Sequence, residues 1–353
     1  RRPPRSTLFP YTTLFRSGRV RNLTEQALQT YLQSEDAQRT TQGTLVSEVT
    51  LAWLTLGANR EQLALQKETL ASQEESFRLV GESYKYGAAS RLDYEQARTT
   101  VASARAAITT YVRAVAQSKN ALELLVGSKV PDELQPSGVE LAATLPATMP
   151  AGLPSEVLLN RPDIISAERG MISANANIGA ARAAFFPSIS LTANAGSASA
   201  HLSDLFGANT GLWSFTPSIS IPIFTGGRNL ANLRSAEVQE KIAVATYEKS
   251  IQTAFQEVAD ALATEGTVER ELKERREFAD AASQAFELSS ARYKHGAAAY
   301  TEVLDAQRTK VSAQQAVITA ELSRASSLVT LYKVLGGGTE LPEPAKTTEG
   351  AEK

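Results

Sequence analysis

The residues able to do chemistry in this sequence are few, and most are charged side chains on helical stretches. Cysteine is absent and the two histidines, His201 and His295, lie far apart. Thiol catalysis, disulfides, cysteine-based zinc sites and histidine triads therefore have no residues to draw on. No GxSxG, HExxH, P-loop or dinucleotide-binding pattern occurs. The sequence predicts a protein that is not an enzyme and holds no metal or cofactor.

The charged side chains with the most suggestive spacing follow a glycine turn near the carboxyl end: Glu302, Asp305 and Arg308. Residues three or four positions apart on a helix share a face, so Arg308 can pair with Asp305. Taken alone, this pattern is typical of a solvated helix face with an ordinary ion pair. What these side chains can do therefore depends on the elements that position them.

The composition excludes several classes of protein. The 353 residues include 36 Lys plus Arg and 38 Asp plus Glu, a formal charge of −2. This near balance argues against a nucleic-acid partner. Mean hydropathy is −0.20, and no run of about 18 apolar residues occurs, so no transmembrane helix is predicted.

Residues 1–17 read as a non-native segment. The stretch TLFPYTTLFRS at 7–17 resembles the conceptual translation of a sequencing adapter, and 1–6 reads as flanking sequence. The alternative is a genuine basic, aromatic arm. Without this segment the formal charge is 32 − 38 = −6, and no signal peptide is visible.

The remaining sequence contains a tandem repeat. The hexapeptide YKYGAA at 84–89 recurs as YKHGAA at 293–298, an offset of 209 residues (293 − 84). After this turn the offset becomes 210 (308 − 98), since Arg98 matches Arg308. Matches this widely spaced indicate a duplication whose first copy is shortened at its amino end.

Long helices account for most of each copy. Ala, Leu, Gln and Glu, which favour helices, dominate a proline-free stretch from Leu23 to Tyr86. At the rise of an α-helix, a stretch of this length would be about 95 Å long. A seven-residue apolar repeat along it predicts a left-handed coiled-coil seam, formed by Val49, Leu56, Leu63, Leu70, Phe77 and Tyr84. The other predicted helices are 90–126, 162–184, 228–295 and 300–335.

Two glycine turns reverse the chain between these helices. Gly87 separates the first long helix from its return, and Gly296 does the same in the second copy. The sequence therefore predicts a long antiparallel bundle with both turns at one end. A run of glycines ends the last helix, and the charged tail 339–353 reads as disordered.

One segment, 187–224, alternates with period two and predicts a β-hairpin. Strands of about 11 residues suit a tilted transmembrane barrel. Apolar-out and polar-in alternation with aromatic ends is the pattern of such barrels. The predicted girdles are Phe185, Phe186 and Phe224 at one end and Trp213 and Phe215 at the other. The alternative is a soluble hairpin packed on a helix.

Two strands cannot close a barrel, and open sheet edges are not tolerated in lipid. The predicted barrel is therefore shared between chains. Shifting 187–224 back by the repeat offset of 209 gives −22 to 15, just upstream of Gly18. We therefore expect the intact protein to carry two hairpins per chain.

Five motifs are the most specific pieces of the sequence: Gly152-Leu153-Pro154-Ser155, Arg161-Pro162-Asp163-Ile164, Ala181-Arg182-Ala183-Ala184-Phe185-Phe186-Pro187-Ser188, Pro222-Ile223-Phe224 with Gly226-Gly227, and Leu304-Asp305-Ala306-Gln307-Arg308. Together they resemble the outer-membrane efflux protein family, the trimeric channel-tunnels of Gram-negative export systems. The resemblance runs from Gly18 to Gly338. It points to the lipoprotein branch that serves resistance-nodulation-division pumps.

The resemblance implies a fold that is mainly α with a small β part. A long antiparallel coiled-coil barrel arm would carry a transmembrane β-hairpin that contributes to a shared trimeric barrel. The domains would be a first-repeat periplasmic arm lacking its hairpin, an equatorial linker and a second repeat, at 18–127, 128–160 and 161–338. Members of this branch carry a signal peptide and a lipidated cysteine, and neither is visible here.

The implied function is that of a passive, gated duct in a tripartite multidrug efflux system. It would lie in the outer membrane of a Gram-negative bacterium and export small molecules from the periplasm or an inner-membrane pump. Its partners would be two further copies of the chain, a periplasmic adaptor (membrane fusion) protein, a resistance-nodulation-division pump and outer-membrane lipid. Open alternatives are a type I secretion or metal-efflux duct, and a soluble coiled-coil scaffold.

The resemblance also implies site residues. The gate would be Thr301, Glu302, Asp305 and Arg308. Three-fold rings of its carboxylates would need the counter-charge of the arginine to close. A hydroxyl-to-carboxylate latch would join Tyr293 to Asp93. The adaptor-docking tips would be Gly87, Ala88, Gly296 and Ala297.

Overall fold

The computed structural model describes residues 18–138, 160–198, 201, 203, 206–208 and 210–337. Outside them lie the predicted non-native segment 1–17, the Gly152–Ser155 motif, most of the predicted linker 128–160 and the tail 339–353. Within them the chain is mainly α-helical with a two-stranded sheet. The predicted fold class is confirmed.

The described residues form five α-helices: α1 (Arg19–Lys85), α2 (Arg91–Val126), α3 (Pro162–Ala183), α4 (Arg228–Lys294) and α5 (Tyr300–Val334). A short 3-10 helix, Asp132–Leu134, follows α2. Helices α1 and α4 contain 67 residues each. Their bounds differ by 209 at both ends (228 − 19 and 294 − 85), which is the offset of the sequence repeat. No described helix is both long enough and apolar enough to cross a membrane.

The sheet is an antiparallel hairpin of β1 (Ser188–Ser197) and β2 (Gly211–Ser220). The second strand ends four residues before the predicted Phe224. Pro222 has no N–H to continue a ladder. The Ile223 N–H donates instead to the Ile221 carbonyl at 3.0 Å, which turns the chain away from the strand.

The described residues form two compact units, one within 1–38 and 162–253 and the other within 39–161 and 254–353. In the first, α3 packs antiparallel against the start of α1. The Arg169 guanidinium donates to the buried Asp36 carboxylate at 2.5 Å. Further along, a Cβ atom on Gly179 would lie 2.6 Å from the Asn22 side chain. A larger residue at this position would have to displace the Asn22 side chain where the two helices meet.

In the second unit, segments of α1, α2, α4 and α5 pack side by side. An ion pair of 2.7 Å between Arg105 and Glu74 joins α2 to α1. Another of 2.7 Å, between Arg276 and Glu321, joins α4 to α5. An apolar cluster lies between α1 and α5 and consists of Leu54, Ala58, Ile318, Ala325 and Val329. The core of this unit thus joins helices that are distant in sequence.

The predicted seven-residue seam of α1 is only partly buried. Leu56 is fully buried, but Tyr84 is 41% exposed. Other buried α1 side chains, Leu54, Gln62 and Val80, lie outside that register. Because α1 contacts both α2 and α5, it buries a broader face than a single seam requires.

Arg161 connects two helices within the second unit. Its side chain is only 9% exposed. The guanidinium donates to the Val334 carbonyl at the end of α5, at 3.0 Å, and to the Glu257 carboxylate on α4, at 2.7 Å. Arg161 therefore satisfies a terminal carbonyl of one helix and neutralises a carboxylate on another.

Candidate functional site

The two glycine turns have the same hydrogen-bond geometry. The N–H groups of Gly87 and Ala88 donate to carbonyls three and five residues earlier, at 3.0 and 2.8 Å. Gly296 and Ala297 repeat this pattern at 2.9 and 2.8 Å, which defines a Schellman helix end. The glycine φ angles of 74° and 69° favour a residue without Cβ. All four residues, the predicted docking tips, are exposed.

The helices that leave the two turns begin differently. Helix α2 has a capping box, in which the Asp93 N–H donates to Ser90 Oγ and the Ser90 N–H donates to the Asp93 carboxylate, both at 3.1 Å. Helix α5 begins after Ala299, which offers no side-chain cap. The backbone N–H groups at the start of α5 therefore have fewer hydrogen-bond acceptors than those at the start of α2.

Exchanging these caps is expected to shift the local opening of each helix in opposite directions. Ser90→Ala removes a capping box and should speed amide exchange in the first turn of α2 by about fivefold, equivalent to about 1 kcal/mol. Ala299→Ser places serine three residues before Glu302, completes a capping box and should slow exchange in the first turn of α5. Hydrogen–deuterium exchange read by mass spectrometry measures both. Equal exchange in both variants and the parent would contradict the prediction.

The predicted gate residues lie on the exposed face of the first three turns of α5. Thr301, Glu302, Asp305 and Arg308 are all exposed. The opposite face of α5 is buried against α1 and α2 in an apolar cluster. We call this the tip cluster, and it consists of Val80, Ala97, Tyr300, Val303 and Leu304. The tip cluster thus anchors α5 and leaves the charged face free for other contacts.

Within the chain, Asp305 pairs with Arg308, as the spacing predicts. Their closest nitrogen and oxygen atoms are 3.8 Å apart, and both side chains are more than 70% exposed. The same pair exists in the first repeat, where Arg98 and Glu95 are 3.6 Å apart. These positions are related by the repeat offset of 210 (305 − 95 and 308 − 98). Sequence reasoning missed this second pair, although the offset could have located it.

The carboxylate of Glu302 has a different counter-charge, Arg292, which lies on the other side of the turn. The Arg292 and Glu302 side chains approach to 3.5 Å. Arg292 also donates to the Ala297 carbonyl at 3.1 Å. Sequence reasoning did not identify Arg292, although opposite charges on either side of a tight turn were a usable signal. One guanidinium thus binds both the turn and a carboxylate of the predicted gate.

The predicted latch residues Asp93 and Tyr293 interact electrostatically. Among the described residues they form no hydrogen bond with each other. The Asp93 carboxylate instead accepts from the Ser90 hydroxyl at 2.7 Å. Burial raises the pKa of Tyr293, and the charge of Asp93 raises it further. Burial also raises the pKa of Tyr300 to about 12, with smaller effects from Tyr293 and Asp93. The rings of Tyr293 and Tyr300 pack with centroids 5.2 Å apart.

In eight of its ten pairs the hairpin register separates polar from apolar side chains. The two pairs nearest the loop, Gly196 with Leu212 and Ser197 with Gly211, do not follow this separation. Residues directly opposite in an antiparallel pair share a face. On one face the opposed pairs are Ile189 with Ile219, Leu191 with Pro217, Ala193 with Phe215 and Ala195 with Trp213. On the other they are Ser188 with Ser220, Ser190 with Ser218, Thr192 with Thr216 and Asn194 with Ser214. Every residue of both strands is exposed, so no element in the described part of the chain covers either face.

The predicted girdle residues lie at two levels of the hairpin. Phe185 and Phe186 precede β1 and Phe224 follows β2, so all three are beside the helical end. Trp213 and Phe215 lie on the half of β2 nearer the loop. All five are exposed, Trp213 at 80% and Phe224 at 90%. Within the described residues, no group of three or more His, Asp or Glu side chains is placed to hold a metal ion.

A helical arm with glycine tips and an uncovered amphipathic hairpin define a class of channel proteins. Residues 7–128 and 153–337 match the family model described as "Outer membrane efflux protein". The chain belongs to this family, which confirms the resemblance and places it among the transport components of the outer membrane. The match begins inside the predicted non-native segment, whose origin stays a prediction.

The chain is 50% identical over 321 residues to the solvent efflux pump outer membrane protein SrpC of Pseudomonas putida. That alignment covers 91% of this chain and 68% of the relative. Outer membrane protein OprJ of Pseudomonas aeruginosa is 45% identical, with coverages of 91% and 67%. The chain thus spans about two thirds of these relatives.

Solved structures show the same fold. A membrane protein from Pseudomonas aeruginosa superposes with a TM-score of 0.83 at 44% identity, covering 91% of this chain and 72% of that one. The open-state outer membrane channel MtrE of Neisseria gonorrhoeae superposes with a TM-score of 0.80 at 38% identity, covering 92% and 73%. The helical arm with its hairpin is therefore the architecture of outer-membrane channels.

Proposed function

We propose that this chain is one subunit of a passive, gated duct that exports small molecules across the outer membrane. The observation that carries the proposal is the hairpin, where the eight pairs from Ser188–Ser220 to Ala195–Trp213 separate eight apolar or small residues from eight hydroxyl or amide residues. A sheet with one apolar and one polar face fits between lipid and a water-filled lumen. No other described element of the chain covers the apolar face.

The dimensions of the hairpin agree with this placement. Each strand has 10 residues, which at the usual rise span about 33 Å. A barrel tilt of about 40° reduces this to about 25 Å, the height of the apolar band in outer-membrane barrels. The two levels of exposed aromatic residues would then lie at the two membrane interfaces.

Two strands cannot form a closed barrel, so the duct requires further copies of the chain. We propose a homotrimer with a shared barrel, in which the first repeat of each intact chain supplies a second hairpin. Three-fold symmetry would bring the exposed charged faces of α5 together around the axis. Thr301, Glu302, Asp305 and Arg308 would then form the gate, and the Asp93–Tyr293 latch would act in a closed state.

The exposed glycine tips support a role in docking a periplasmic adaptor. Both tips have the same backbone geometry and open space around the glycines, so a helical partner could approach the backbone closely. We propose that the adaptor connects the duct to a resistance-nodulation-division pump. The relatives are named for efflux of solvents, toluene and antibiotics, which favours small organic molecules over proteins or metal ions as cargo.

Removing two large apolar side chains from the hairpin is expected to release the chain from membranes. Trp213→Ser with Phe215→Ser should cost about 3 kcal/mol or more of apolar transfer free energy. Carbonate extraction followed by quantification of the membrane fraction measures the loss. A matched control is Phe255→Ser with Phe278→Ser, which removes two exposed aromatic residues from α4.

The hairpin proposal makes the two double variants behave differently. The control should remain in the membrane fraction, while the hairpin variant should move to the soluble fraction. A parent chain that is soluble without detergent would overturn the duct and favour the coiled-coil scaffold.

A further inference from the structure

We propose that five arginines at the base of the hairpin bind the phosphate headgroups of membrane lipids. This arginine collar consists of Arg19, Arg21, Arg182, Arg228 and Arg234. The inference rests on the proposed placement of the hairpin in the membrane and adds a ligand chemistry to it. It assigns a binding role to the first turns of α1 and α4 and the last turn of α3.

The three helix ends that carry the collar meet in one compact unit. The Asn22 side chain on α1 lies against Gly179 on α3, 2.6 Å from where a Cβ atom on Gly179 would be. Asn229 on α4 donates its side-chain amide to the Ala184 carbonyl just after α3, at 2.9 Å. Since β1 follows α3 and β2 precedes α4, all five arginines lie near the point where the hairpin leaves the helices.

This end of the unit is strongly basic although the whole chain is not. Segments 18–26, 176–187 and 221–235 contain five arginines and one acidic residue, Glu25, a formal charge of 5 − 1 = +4. Glu25 accepts a hydrogen bond from the Gln29 amide at 2.9 Å. The whole chain, by contrast, has a formal charge of −2. The collar is therefore a local concentration of positive charge.

The collar guanidiniums have no partner within the described residues. Among those residues none of the five forms an ion pair or a side-chain hydrogen bond, and all five are exposed. Elsewhere arginines commonly pair with carboxylates, as Arg276 does with Glu321 and Arg324 with Glu269. A guanidinium presents paired N–H donors that match phosphate oxygens. Five such groups in one place favour an anionic ligand with several phosphates.

Exposed apolar residues next to the collar indicate that this ligand is a membrane surface. Phe186, Ile223 and Phe224 lie between the strands and the helices, and Ile223 and Phe224 are at least 90% exposed. Aromatic residues favour the membrane–water interface, and clustered arginines beside them are attracted to anionic headgroups. A free phosphate ion would use the arginines but leave these apolar residues in water.

Vesicle flotation tests the collar with the whole chain diluted from detergent. The probes are vesicles of phosphatidylcholine alone and of phosphatidylcholine mixed with phosphatidylglycerol. The parent should bind the anionic vesicles more tightly, and added salt should reduce the difference. Each basic residue near such a surface contributes about fivefold in affinity. If two of the five arginines contact headgroups at one time, replacing all five by glutamine should weaken binding to anionic vesicles by about 25-fold. The substitutions are Arg19→Gln, Arg21→Gln, Arg182→Gln, Arg228→Gln and Arg234→Gln.

A control variant with the same change in charge separates the collar from net charge. The control removes five exposed arginines of α2 and α4 that belong to the other compact unit: Arg91→Gln, Arg98→Gln, Arg113→Gln, Arg270→Gln and Arg275→Gln. This variant should keep the preference for anionic vesicles. Circular dichroism at 222 nm should be unchanged in both variants, and a collar variant with lost helicity is replaced by the five single substitutions.

The possible outcomes are distinguishable. Equal binding of the parent to both vesicle types, or equal losses in collar and control variants, overturns the collar but leaves the membrane placement standing. Binding of the parent to neither vesicle type overturns both the collar and the proposed duct. Tight calorimetric binding of inorganic phosphate without vesicle preference overturns the lipid assignment.

Discussion

Replacing Asp305 and Arg308 together by alanine is expected to make the duct leak, raising its open fraction by about 10- to 100-fold. A contact between exposed charges that forms only in the closed ring would favour that state by about two- to fivefold. In a homotrimer the same loss would occur three times, and the three factors multiply. The substitutions also shorten the side chains that would narrow the opening. Conductance of purified channels in planar lipid bilayers measures the effect.

The repeat offers a matched control for this experiment. Glu95 and Arg98 form an equally spaced pair on α2, at 3.6 Å, at the equivalent positions of the first repeat. Glu95→Ala with Arg98→Ala changes the same charges without altering the face of α5. A gate in the second repeat predicts a smaller conductance change for this control. Unchanged conductance in Asp305→Ala with Arg308→Ala would refute the assignment.

Arg292 is less suitable than Asp305 and Arg308 for a leakage experiment. Arg292 binds both Glu302 and the turn carbonyl of Ala297, so its loss would change the tip backbone as well as the charge. Asp305 and Arg308 make no contact with the turn among the described residues. They are therefore the cleaner pair for testing charge at the gate.

Arg161→Ala is expected to destabilise the second helical unit by about 2–4 kcal/mol. The substitution leaves the Val334 carbonyl without its buried donor and Glu257 without its counter-charge. Glu257 is 44% exposed, so water recovers part of the loss, which places the estimate below that of a fully buried pair. Urea unfolding of the detergent-solubilised chain, followed by circular dichroism, measures the change in midpoint.

Arg98→Ala is the appropriate comparison for Arg161→Ala. It also removes an arginine from an ion pair, but both partners are at least 45% exposed. Exposed pairs contribute about 0–1 kcal/mol. Equal destabilisation by the two substitutions would show that the buried contacts of Arg161 add nothing to stability.

Much of the fold was predictable because its signals are local. Glycine turns, helix-forming composition and period-two alternation act over a few residues, so the helices and the hairpin could be placed from the sequence. The end of β2 was not, because its apolar alternation continues past Ser220 to Phe224 while the backbone turns at Pro222. A side-chain pattern shows which residues favour a strand but does not show where the hydrogen-bond ladder stops.

The candidate site was only partly predictable. The spacing of Asp305 and Arg308 along one helix was sufficient to predict their pair. The contact of Arg292 with Glu302 crosses a turn and depends on how the helices on its two sides pack. Likewise, the capping box that engages Asp93 was not anticipated, and it shows the carboxylate bound to Ser90.

The sequence by itself determined the repeat, the helical character of the arm, the positions of both turns and the alternation of the hairpin, since each follows from neighbouring residues. Only the tertiary structure decided which face of α1 is buried, which carbonyl Arg161 caps, and that the collar arginines of three helices lie at one end. These contacts join residues far apart in the chain. They depend on how whole helices pack against one another, and no local pattern encodes that arrangement.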